Sequence, residues 1–391
     1  FGIVIDYDNI PIEQEVIDEI YGKANTTGVF QFESPGAKKI LKDFKPNSFE
    51  DLILINAANR PGPIEYIPEA IEVKKGIKKP YYMIPEMKPI LAETYGKPFY
   101  QEQLMQLFSV CAGFSMGEAD IIRRYMSKKK VDKFMAYKDK FISGCVGKKA
   151  KKEDAEDFWN SIVSFSKYAF NKSHAAAYAT IAYQTAYLKC HFYKEYMAAL
   201  MTITLLDSTD KLYGYIADVG KSGVKILSLD INKSESGFVA EPEGIRFALL
   251  AVKSLGEGAI DRIVSERKSG GAFRSLQDFC TRVSGRDIHL RTVEALIKSG
   301  AFDGFGYTRR EHLNACEDIM KSVTRSDGSV IEGQLDLFGM GSALPMEKKI
   351  ERCGEFDEQQ LLEFEHEALG MYISAHPIDR FECVISATRC V

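Results

Sequence analysis

The sequence predicts a mainly α protein with small β elements, divided into several domains. Apolar residues recur at three- and four-residue spacing through most of residues 46–206, which is typical of amphipathic helices. A stretch around residues 224–250 instead has a β-type composition. The chain has 391 residues, more than one hydrophobic core usually organises. Together these observations predict helical domains and one small sheet.

Composition narrows the cellular setting. Hydrophobic residues make up 45% of the chain and charged residues 27%, which is typical of a soluble globular protein. No apolar run approaches the ~20 residues that cross a bilayer. Eight cysteines are scattered without a Cys-x-x-Cys pair, so we expect reduced thiols rather than a zinc site or a disulfide framework. We therefore expect a cytoplasmic protein without a membrane partner.

The first half of the chain is predominantly helical by pattern. Residues 1–45 contain a helix-like run at 13–21, and Pro61-Gly62-Pro63 ends a helix and fixes a rigid corner. The clearest helical stretches between residues 46 and 206 are 101–111, 117–126, 154–165 and 175–206. The chain begins Phe-Gly-Ile-Val, which resembles neither a start methionine nor a signal peptide, so we expect part of a longer protein.

The second half changes character after residue 207. We predict strands within 224–227 and 237–250, with residues 241–244 forming a hairpin turn. Two compact helical segments follow, and the Gly- and Ser-rich residues 325–349 form a linker. The last residues, 350–391, hold one acidic helix and a strand at 370–374. They are too few for a core, so we expect the start of a truncated domain.

Charge is unevenly distributed along a chain whose net charge is −4. Residues 123–152 carry a net charge of +10, whereas residues 351–367 carry −6. A basic block within an acidic chain predicts a localised contact with a polyanion. The alternative is a solvated helix face, which charge runs usually form. Acids are almost absent from the block, so i,i+4 pairs within it cannot neutralise it.

The sequence Asn171-Lys172-Ser173-His174 stands directly before an alanine-rich helical run. Helix N-termini attract anions through unpaired backbone N–H groups and the aligned peptide dipoles. Four hydrogen-bonding side chains at such a position indicate a site for a phosphate or a nucleobase. The alternative is an ordinary helix cap, made by Asn171 or Ser173. A cap does not account for the neighbouring lysine and histidine, and we expect His174 to act as a hydrogen-bond donor.

Further polar clusters punctuate the helical region. Arg60 precedes the rigid corner, and Gln101 and Gln103 open a helix. On a helix, Arg124 and Lys128 share one face, so two cations could grip one triphosphate or adjacent DNA phosphates. The basic members of this cluster are Arg123, Arg124, Lys128, Lys129 and Lys130.

These motifs, in this order, resemble the fingers region of the bacterial replicative DNA polymerase III alpha subunit. The resemblance is carried by residues 28–34 (Gly-Val-Phe-Gln-Phe-Glu-Ser), 59–63 (Asn-Arg-Pro-Gly-Pro), 94–96 (Thr-Tyr-Gly), 100–103 (Tyr-Gln-Glu-Gln), 117–120 (Gly-Glu-Ala-Asp) and 170–178 (Phe-Asn-Lys-Ser-His-Ala-Ala-Ala-Tyr). It implies that a surface for the incoming nucleotide and the template is lined by Arg60, Gln101, Gln103, Arg123, Arg124, Lys128, Lys129, Lys130, Asn171, Lys172, Ser173 and His174.

The resemblance also implies an organisation, an activity and partners. The expected parts are the end of the palm (1–45), the fingers (46–206), a tandem helix-hairpin-helix DNA-binding region (207–324), a linker (325–349) and the start of the next domain (350–391). The implied activity is that of a DNA-directed DNA polymerase. The implied partners are primer–template DNA, dNTP, a sliding clamp and other replicase subunits.

The family's catalytic groups are expected outside this chain. The family uses three palm aspartates and two metal ions, and its Pro-Asp-Phe-Asp type motif does not occur here. We therefore expect no catalytic residue and no metal ligand in this chain, with Mg²⁺ bound upstream of Phe1 in the parent enzyme. Asp6 and Asp8 could bracket a metal, but the following Asn-Ile-Pro favours a helix entrance and surface charge. The chain alone is expected to be inactive.

Two tight hairpins are predicted within the helix-hairpin-helix region. The first contains Ser254, Leu255, Gly256 and Gly258, and the second contains Ser299 and Gly300. Such hairpins offer backbone N–H groups to a DNA phosphate without reading bases. We favour duplex binding. A plain helix-turn-helix packing unit fits the same periodicity and stays open as the alternative.

The linker contains one apolar motif, Gln334-Leu335-Asp336-Leu337-Phe338. Apolar side chains in a flexible segment usually anchor on a partner in extended form. The motif resembles the bacterial sliding-clamp-binding pentapeptide at every position, which implies that Leu337 and Phe338 fill a pocket of the clamp. The alternative is a strand that docks on its own protein.

Two functions remain open from the sequence. The first is a part of a replicative polymerase that positions dNTP and primer–template DNA and binds the clamp. The second is a non-catalytic DNA-binding adaptor that tethers the clamp, with the helical region as scaffold.

Overall fold

A computed structural model describes residues 2–128, 130–166, 169–283, 288–327, 348–375 and 377–381. The chain forms two compact units, Phe1–Phe192 (unit 1) and Tyr193–Val391 (unit 2). Within the described ranges, no helix is both long and apolar enough to cross a bilayer.

Unit 1 begins with four helices, preceded by a 3₁₀ turn at Tyr7–Asn9. They are α1 (Gln14–Val16, continued by a wider π turn at Ile17–Gly22), α2 (Pro35–Phe44), α3 (Phe49–Ala58) and α4 (Ile67–Lys74). Ser34 and Ser48 accept backbone N–H bonds at the starts of α2 and α3, as N-cap serines do. After α3, Gly62 adopts φ +102°, so the predicted corner is confirmed.

Among the described residues, unit 1 continues with seven more helices and with 3₁₀ turns at Pro85–Met87 and Ala92–Thr94. They are α5 (Lys88–Leu91), α6 (Gln101–Ala112), α7 (Met116–Ser127), α8 (Val131–Met135), α9 (Lys138–Gly147), α10 (Lys152–Ser166) and α11 (Lys172–His191). Helix α9 packs closely on α6, because a Cβ at Gly144 would lie 2.3 Å from the Ala112 carbonyl oxygen. Only glycine permits that approach.

Two apolar cores stabilise unit 1. In the first, buried residues of α3 such as Leu54 pack with the alanine face of α11, which includes Ala179. In the second, buried residues of α6, α7 and α9 pack with the fully buried Trp159 of α10, which stacks on Phe134 with ring centroids 4.7 Å apart. The small alanines let α3 and α11 approach closely and therefore fix the position of α11.

The predicted helix over 175–206 is interrupted, which corrects that expectation. Phe192 leaves the helical conformation (φ −132°, ψ 50°), so α11 ends at His191 and α12 runs from Tyr193 to Leu205. The sequence pattern stays apolar on both sides of this break, which is why periodicity did not locate it.

Unit 2 contains the predicted small sheet. Its strands are β1 (Lys225–Leu227), β2 (Val239–Glu241) and β3 (Gly244–Arg246), in the order β1-β3-β2. Strand β3 pairs parallel with β1 and antiparallel with β2. The β2–β3 connection is the turn at residues 241–244, so the hairpin prediction is confirmed.

The remaining helices of unit 2 surround a large apolar core. They are α13 (Thr209–Lys221), α14 (Glu257–Gly270), α15 (Leu276–Val283), α16 (Leu290–Lys298), α17 (Arg309–Asp327) and α18 (Glu358–Leu369). Short 3₁₀ turns occur at Leu249–Ala251, Asp303–Phe305 and Asp379–Phe381. The mainly α prediction is confirmed. The strand predicted at 370–374 is wrong, because the Glu365 carboxylate accepts the N–H groups of Ile373 and Ser374 instead.

Candidate functional site

The start of α11 brings together the Asn-Lys-Ser-His side chains. Asn171 is the N-cap, and its Oδ1 accepts the His174 N–H at 2.8 Å. This settles the cap in favour of Asn171 over Ser173. Lys172 begins the helix, while Ser173 and His174 lie exposed on its first turn. Residues 169–174 are called the α11 entrance below.

Two glutamates that are not among the predicted site residues hold the α11 entrance. Glu102 Oε1 accepts from Asn171 Nδ2 at 2.8 Å, and its Oε2 accepts the Lys172 backbone N–H at 2.9 Å. Glu93 Oε2 pairs with Lys172 Nζ at 2.6 Å. Glu102 belongs to the start of α6, so these contacts tie α11 to a segment about seventy residues earlier. Nothing in local spacing could have predicted them.

Gln101 connects the α11 entrance to the basic block. Its backbone N–H donates to Phe170 O at 2.9 Å, and its Nε2 donates to Ala169 O at 3.1 Å. Its Oε1 accepts from Arg123 Nη1 at 3.2 Å. The predicted residues Gln101, Arg123, Asn171 and Lys172 therefore lie in one hydrogen-bonded assembly.

A single carboxylate restrains the two arginines of α7. Asp120 Oδ1 lies 2.8 Å from Arg123 Nη2, and its Oδ2 lies 2.8 Å from Arg124 Nη2. The hydrogen bonds from Arg123 and then the charges of both arginines hold the pKa of Asp120 below its usual range. Because the side chain of Arg124 is 65% exposed, its guanidinium remains accessible to an anion. Asp120 stands just before the basic block, so a count of charges inside the block missed it.

The lysines after α7 extend this positive surface. Lys128 and Lys130 are exposed, and their backbone N–H groups close the helix end by donating to Arg124 O and Tyr125 O. Within the described ranges, neither lysine side chain forms an ion pair. Lys129 lies outside the described residues. The chain therefore presents at least two further cations beyond the paired arginines.

A row of aromatic rings leads away from the α11 entrance. Phe170 meets His174 at a centroid distance of 5.1 Å, and His174 stacks on Tyr178 at 4.4 Å. Tyr178 in turn lies 5.5 Å from Phe30. These four residues are called the aromatic row. The spacing of four between residues 170, 174 and 178 could have indicated three of its members, but Phe30 joins only through the fold.

Arg60 packs against the first ring of this row. Its guanidinium carbon lies 3.9 Å from the Phe170 ring centroid, and its Nε donates to Ala57 O at 2.9 Å. Partial burial lowers the pKa of Arg60 from its ordinary value. Stacking on an aromatic face is a usual arrangement for a guanidinium, and it fixes the position of this cation beside the α11 entrance.

Gln103 is placed inside the protein and not on this surface. Its side chain is 2% exposed. Its Oε1 accepts the Tyr100 N–H at 3.1 Å, and its Nε2 donates to Ile90 O and Thr94 Oγ1 at 3.0 and 2.8 Å. The amide therefore closes the start of α6 and joins it to the preceding loop.

In unit 2, the first predicted hairpin offers unpaired backbone donors. Ser254 adopts a left-handed conformation (φ +69°) and Leu255 is buried, which anchors the turn. Helix α14 then starts after Gly256 without a side-chain cap. In the part of the chain that the structure describes, no partner is found for the N–H groups of Gly256, Glu257 and Gly258, and all three residues are exposed. Residues 254–258 are called the α14 entrance below.

By contrast, the backbone N–H groups of the second predicted hairpin are already hydrogen-bonded. The N–H groups of Ser299 and Gly300 donate to Ala295 O and Ile297 O. The Arg309 guanidinium fills the space beside Gly300, where a Cβ would lie 2.4 Å from it. The first N–H groups of α17 are also taken, because Glu355 accepts those of Arg309 and Arg310. This geometry fits the packing alternative for Ser299 and Gly300.

Asp6 caps its own turn. Its Oδ1 accepts the Asp8 N–H at 3.1 Å, and its Oδ2 accepts from Asn9 Nδ2 at 2.7 Å. The expectation that Asp6 serves as a helix entrance is thus confirmed for a 3₁₀ turn. Within the described ranges, no group of three His, Cys, Asp or Glu side chains is arranged to hold a metal ion. The motif Gln334-Leu335-Asp336-Leu337-Phe338 lies outside the described residues.

Comparison with known protein families gives two matches. Residues 1–149 match the bacterial DNA polymerase III alpha subunit finger domain. Residues 223–312 match a helix-hairpin-helix motif. The first range contains Arg60, Gln101, Arg123 and Arg124, and the second contains both predicted hairpins.

Curated relatives match almost the whole chain. The DNA polymerase III subunit alpha of Borreliella burgdorferi is 40% identical over 97% of this chain and 33% of its own length. The corresponding subunit of Thermus aquaticus is 38% identical over 100% of this chain and 32% of its own length. That of Neisseria meningitidis is 40% identical over 96% and 33%. The chain therefore spans about a third of the length of these relatives.

Proposed function

Because the chain belongs to the family of bacterial DNA polymerase III alpha subunits, we propose that it is the part of a replicative DNA-directed DNA polymerase that positions the incoming dNTP and the primer–template DNA. The observation that carries this proposal is the hydrogen-bonded assembly of the α11 entrance with Gln101 and Arg123. It joins a helix N-terminus to the basic block of α7. Such an arrangement suits a triphosphate, which carries several charged oxygens at once.

The proposed chemistry is electrostatic. Lys172 and the paired arginines Arg123 and Arg124 bind the triphosphate and neutralise negative charge as pyrophosphate leaves, which is the main task of a protein in phosphoryl transfer. Arg124 is the most accessible of the three, since its side chain is 65% exposed. Arg60, Lys128, Lys129 and Lys130 add to the positive field.

The aromatic row gives this surface a second function. Aromatic faces stack on nucleobases of any sequence and contribute about 1–3 kcal/mol per base. The exposed His174 stacks on Tyr178 and meets Phe170 edge to face. We propose that His174 donates a hydrogen bond beside Ser173 and that the neighbouring rings face the base or sugar of the nucleotide or the template.

The catalytic carboxylates and their Mg²⁺ ions belong, in this proposal, to parts of the relatives that this chain does not span. Mg²⁺ would supply the activation of the attacking hydroxyl and the shielding of the triphosphate. The residues of this chain would orient the nucleotide. The isolated chain, assayed with Mg²⁺, primer–template and dNTP, is expected to incorporate no nucleotide. Measurable synthesis would place catalytic carboxylates within it.

Unit 2 is proposed to bind the DNA duplex without reading its sequence. The unpaired N–H groups of Gly256, Glu257 and Gly258 can receive one backbone phosphate, and the region lies inside the helix-hairpin-helix match. Ser254 and Leu255 shape the turn that presents them. Since the N–H groups of Ser299 and Gly300 are already paired, the first hairpin carries this proposal.

The domain organisation is proposed as the sequence suggests it. Residues 1–45 would be the end of the palm, 46–206 the fingers and 207–324 the helix-hairpin-helix region. Residues 325–349 would be a linker, and 350–391 the start of a further domain. We also propose a cytoplasmic location and other replicase subunits as partners.

The motif Gln334-Leu335-Asp336-Leu337-Phe338 is proposed to bind the sliding clamp. Its two leucines and phenylalanine supply the apolar anchors of an extended peptide, and Gln334 supplies a hydrogen bond. The combined change Leu337→Ala and Phe338→Ala should abolish capture of the full-length protein by an immobilised clamp. Retained capture would move the contact to another segment.

One binding experiment separates this proposal from a DNA-binding adaptor. The full-length protein is bound to a primer–template that ends in a dideoxynucleotide, and the dissociation constants for dNTP and for DNA are measured separately. Arg124→Ala and Lys172→Ala should weaken dNTP binding about tenfold, since each removes a charge-assisted contact, while DNA binding changes little. If only DNA affinity changes, the adaptor function is favoured.

A further inference from the structure

Glutamate oxygens occupy the positions at the α11 entrance where a phosphate would bind. Glu102 accepts both the Asn171 side-chain amide and the Lys172 backbone N–H, and Glu93 takes the Lys172 ammonium. We propose that Glu102, assisted by Glu93, is an internal placeholder for the nucleotide's phosphate, and that the triphosphate displaces these carboxylates when it binds. This inference rests on the proposed function of the same surface.

The geometry of Glu102 resembles that of a bound anion. Its two oxygens receive one donor each, at 2.8 and 2.9 Å. One of these donors is the first N–H of a twenty-residue helix, which is the group that a phosphate uses at helix N-termini. The helix dipole favours a negative charge there from either source. A carboxylate and a phosphate therefore compete for the same donors.

Asp120 repeats the arrangement on α7. Its two oxygens are shared between Arg123 and Arg124, so those cations also have a carboxylate partner before any nucleotide arrives. Three acids thus face the main phosphate-binding groups of the surface. These carboxylates keep the donor groups in position, so that the donors do not pair with other acceptors. They also weaken the binding of a free anion, because they compete with it for the same donors.

The alternative is that Glu102 acts only as a strut. The two roles give opposite results when the charge is removed. Glu102→Gln keeps the length of the side chain and one acceptor oxygen, but it removes the negative charge that competes with phosphate. If Glu102 is a placeholder, phosphate binding strengthens. If Glu102 is only a strut, the α11 entrance loosens and phosphate binding weakens.

The test measures binding of inorganic tripolyphosphate to the full-length protein with bound primer–template. We expect Glu102→Gln to lower the dissociation constant about fivefold, as for removal of one partly exposed charge partner. Glu93→Gln should change it in the same direction and provides a second variant if Glu102→Gln unfolds. Glu86→Gln, at an exposed position outside these contacts, is the matched control and should leave the constant unchanged.

The outcomes separate this inference from the proposed function. Weaker or unchanged tripolyphosphate binding in both Glu102→Gln and Glu93→Gln, with the unfolding temperature preserved, overturns the placeholder. In that case the proposed function stands as long as Lys172→Ala and Arg124→Ala still weaken binding. If those two changes have no effect on tripolyphosphate binding, the proposed function itself fails, whatever the glutamate variants do.

Discussion

The α11 entrance and the α14 entrance are two helix N-termini built in different ways. The first is crowded with side chains: Asn171 caps it, Glu102 docks it and Lys172 pairs with Glu93. The second has no side-chain cap and follows a left-handed turn at Ser254. One presents a defined arrangement of charged and aromatic groups, whereas the other presents unpaired backbone N–H groups beside the exposed carboxylate of Glu257.

The two entrances are suited to different ligands. Side chains at fixed positions can distinguish the parts of a nucleotide, because charge, hydrogen bonds and ring faces each meet a different group. Bare backbone N–H groups meet only a phosphate oxygen, so they fit any point of a DNA backbone. The α17 start, where Glu355 accepts the N–H groups of Arg309 and Arg310, shows that a helix N-terminus within the helix-hairpin-helix match need not offer such donors.

The largest expected effect concerns the charged groups of the α11 entrance. Lys172→Ala in the full-length protein should slow nucleotide incorporation about 10²-fold, the loss typical of one preorganised donor at a developing charge. Single-turnover incorporation with Mg²⁺ and primer–template measures it. Lys42→Ala, at an exposed lysine of α2, is the matched control. An unchanged incorporation rate for Lys172→Ala would show that the α11 entrance is not part of the nucleotide site.

The next effect tests whether Gln103 belongs to the interior. Gln103→Ala leaves the Tyr100 N–H and the Thr94 hydroxyl without their buried partner, so the free energy of unfolding should fall by about 2 kcal/mol. Chemical denaturation monitored by circular dichroism measures the change. The dNTP dissociation constant of the folded variant should stay within about twofold. A large loss of dNTP affinity without a loss of stability would indicate that Gln103 contacts the nucleotide.

A proline substitution tests the bare α14 entrance. Glu257 is the first residue of α14, where proline is well tolerated, and Gly256 has the extended backbone that a residue before proline needs (φ −81°, ψ 162°). Glu257→Pro therefore removes one N–H with little cost to the helix. Duplex affinity should fall about threefold relative to Glu257→Ala, which removes the carboxylate alone. Equal affinities would show that this N–H does not contact DNA.

The smallest effect concerns α7, whose entrance is closed by its own side chains. The Lys140 ammonium and then the Ser115 N–H hold the pKa of Glu118 down at about 2, from an ordinary value of 4.5. Because the folded pKa is the lower one, its stabilisation is complete above pH 4.5 and is lost as the pH falls toward 2. Thermal unfolding from about pH 6 to about pH 3 should decline less steeply in Glu118→Gln. Parallel curves would contradict this assignment.

Local signals predicted the fold better than the site. Asn171 as a cap and the β2–β3 turn depend on neighbouring residues, and the sequence contains those patterns. Glu102 and Glu93 reach the α11 entrance from about seventy and eighty residues away, and Phe30 joins the aromatic row from a still more distant segment. Such contacts depend on how α3, α6 and α11 pack, which periodicity does not specify.

The family resemblance named candidate site residues that periodicity and charge alone did not distinguish from other polar residues. It implied the same role for Gln101 and Gln103, but the fold hydrogen-bonds Gln101 to Arg123 and buries the side chain of Gln103. Gln101 and Glu102 are half-buried at the start of α6, whereas Gln103 and Leu104 are buried, because residues two apart on a helix face different directions. The order of motifs along the chain does not encode this difference.

The most direct test of the two-entrance account is backbone hydrogen exchange in the full-length protein. In the proposed function the triphosphate binds at the α11 entrance, so amides in residues 169–178 should gain protection when dNTP is added to the protein–primer–template complex. Amides in residues 252–260 should gain protection when DNA binds and change no further with dNTP. Protection of residues 169–178 by DNA alone, with no response to dNTP, would contradict the account.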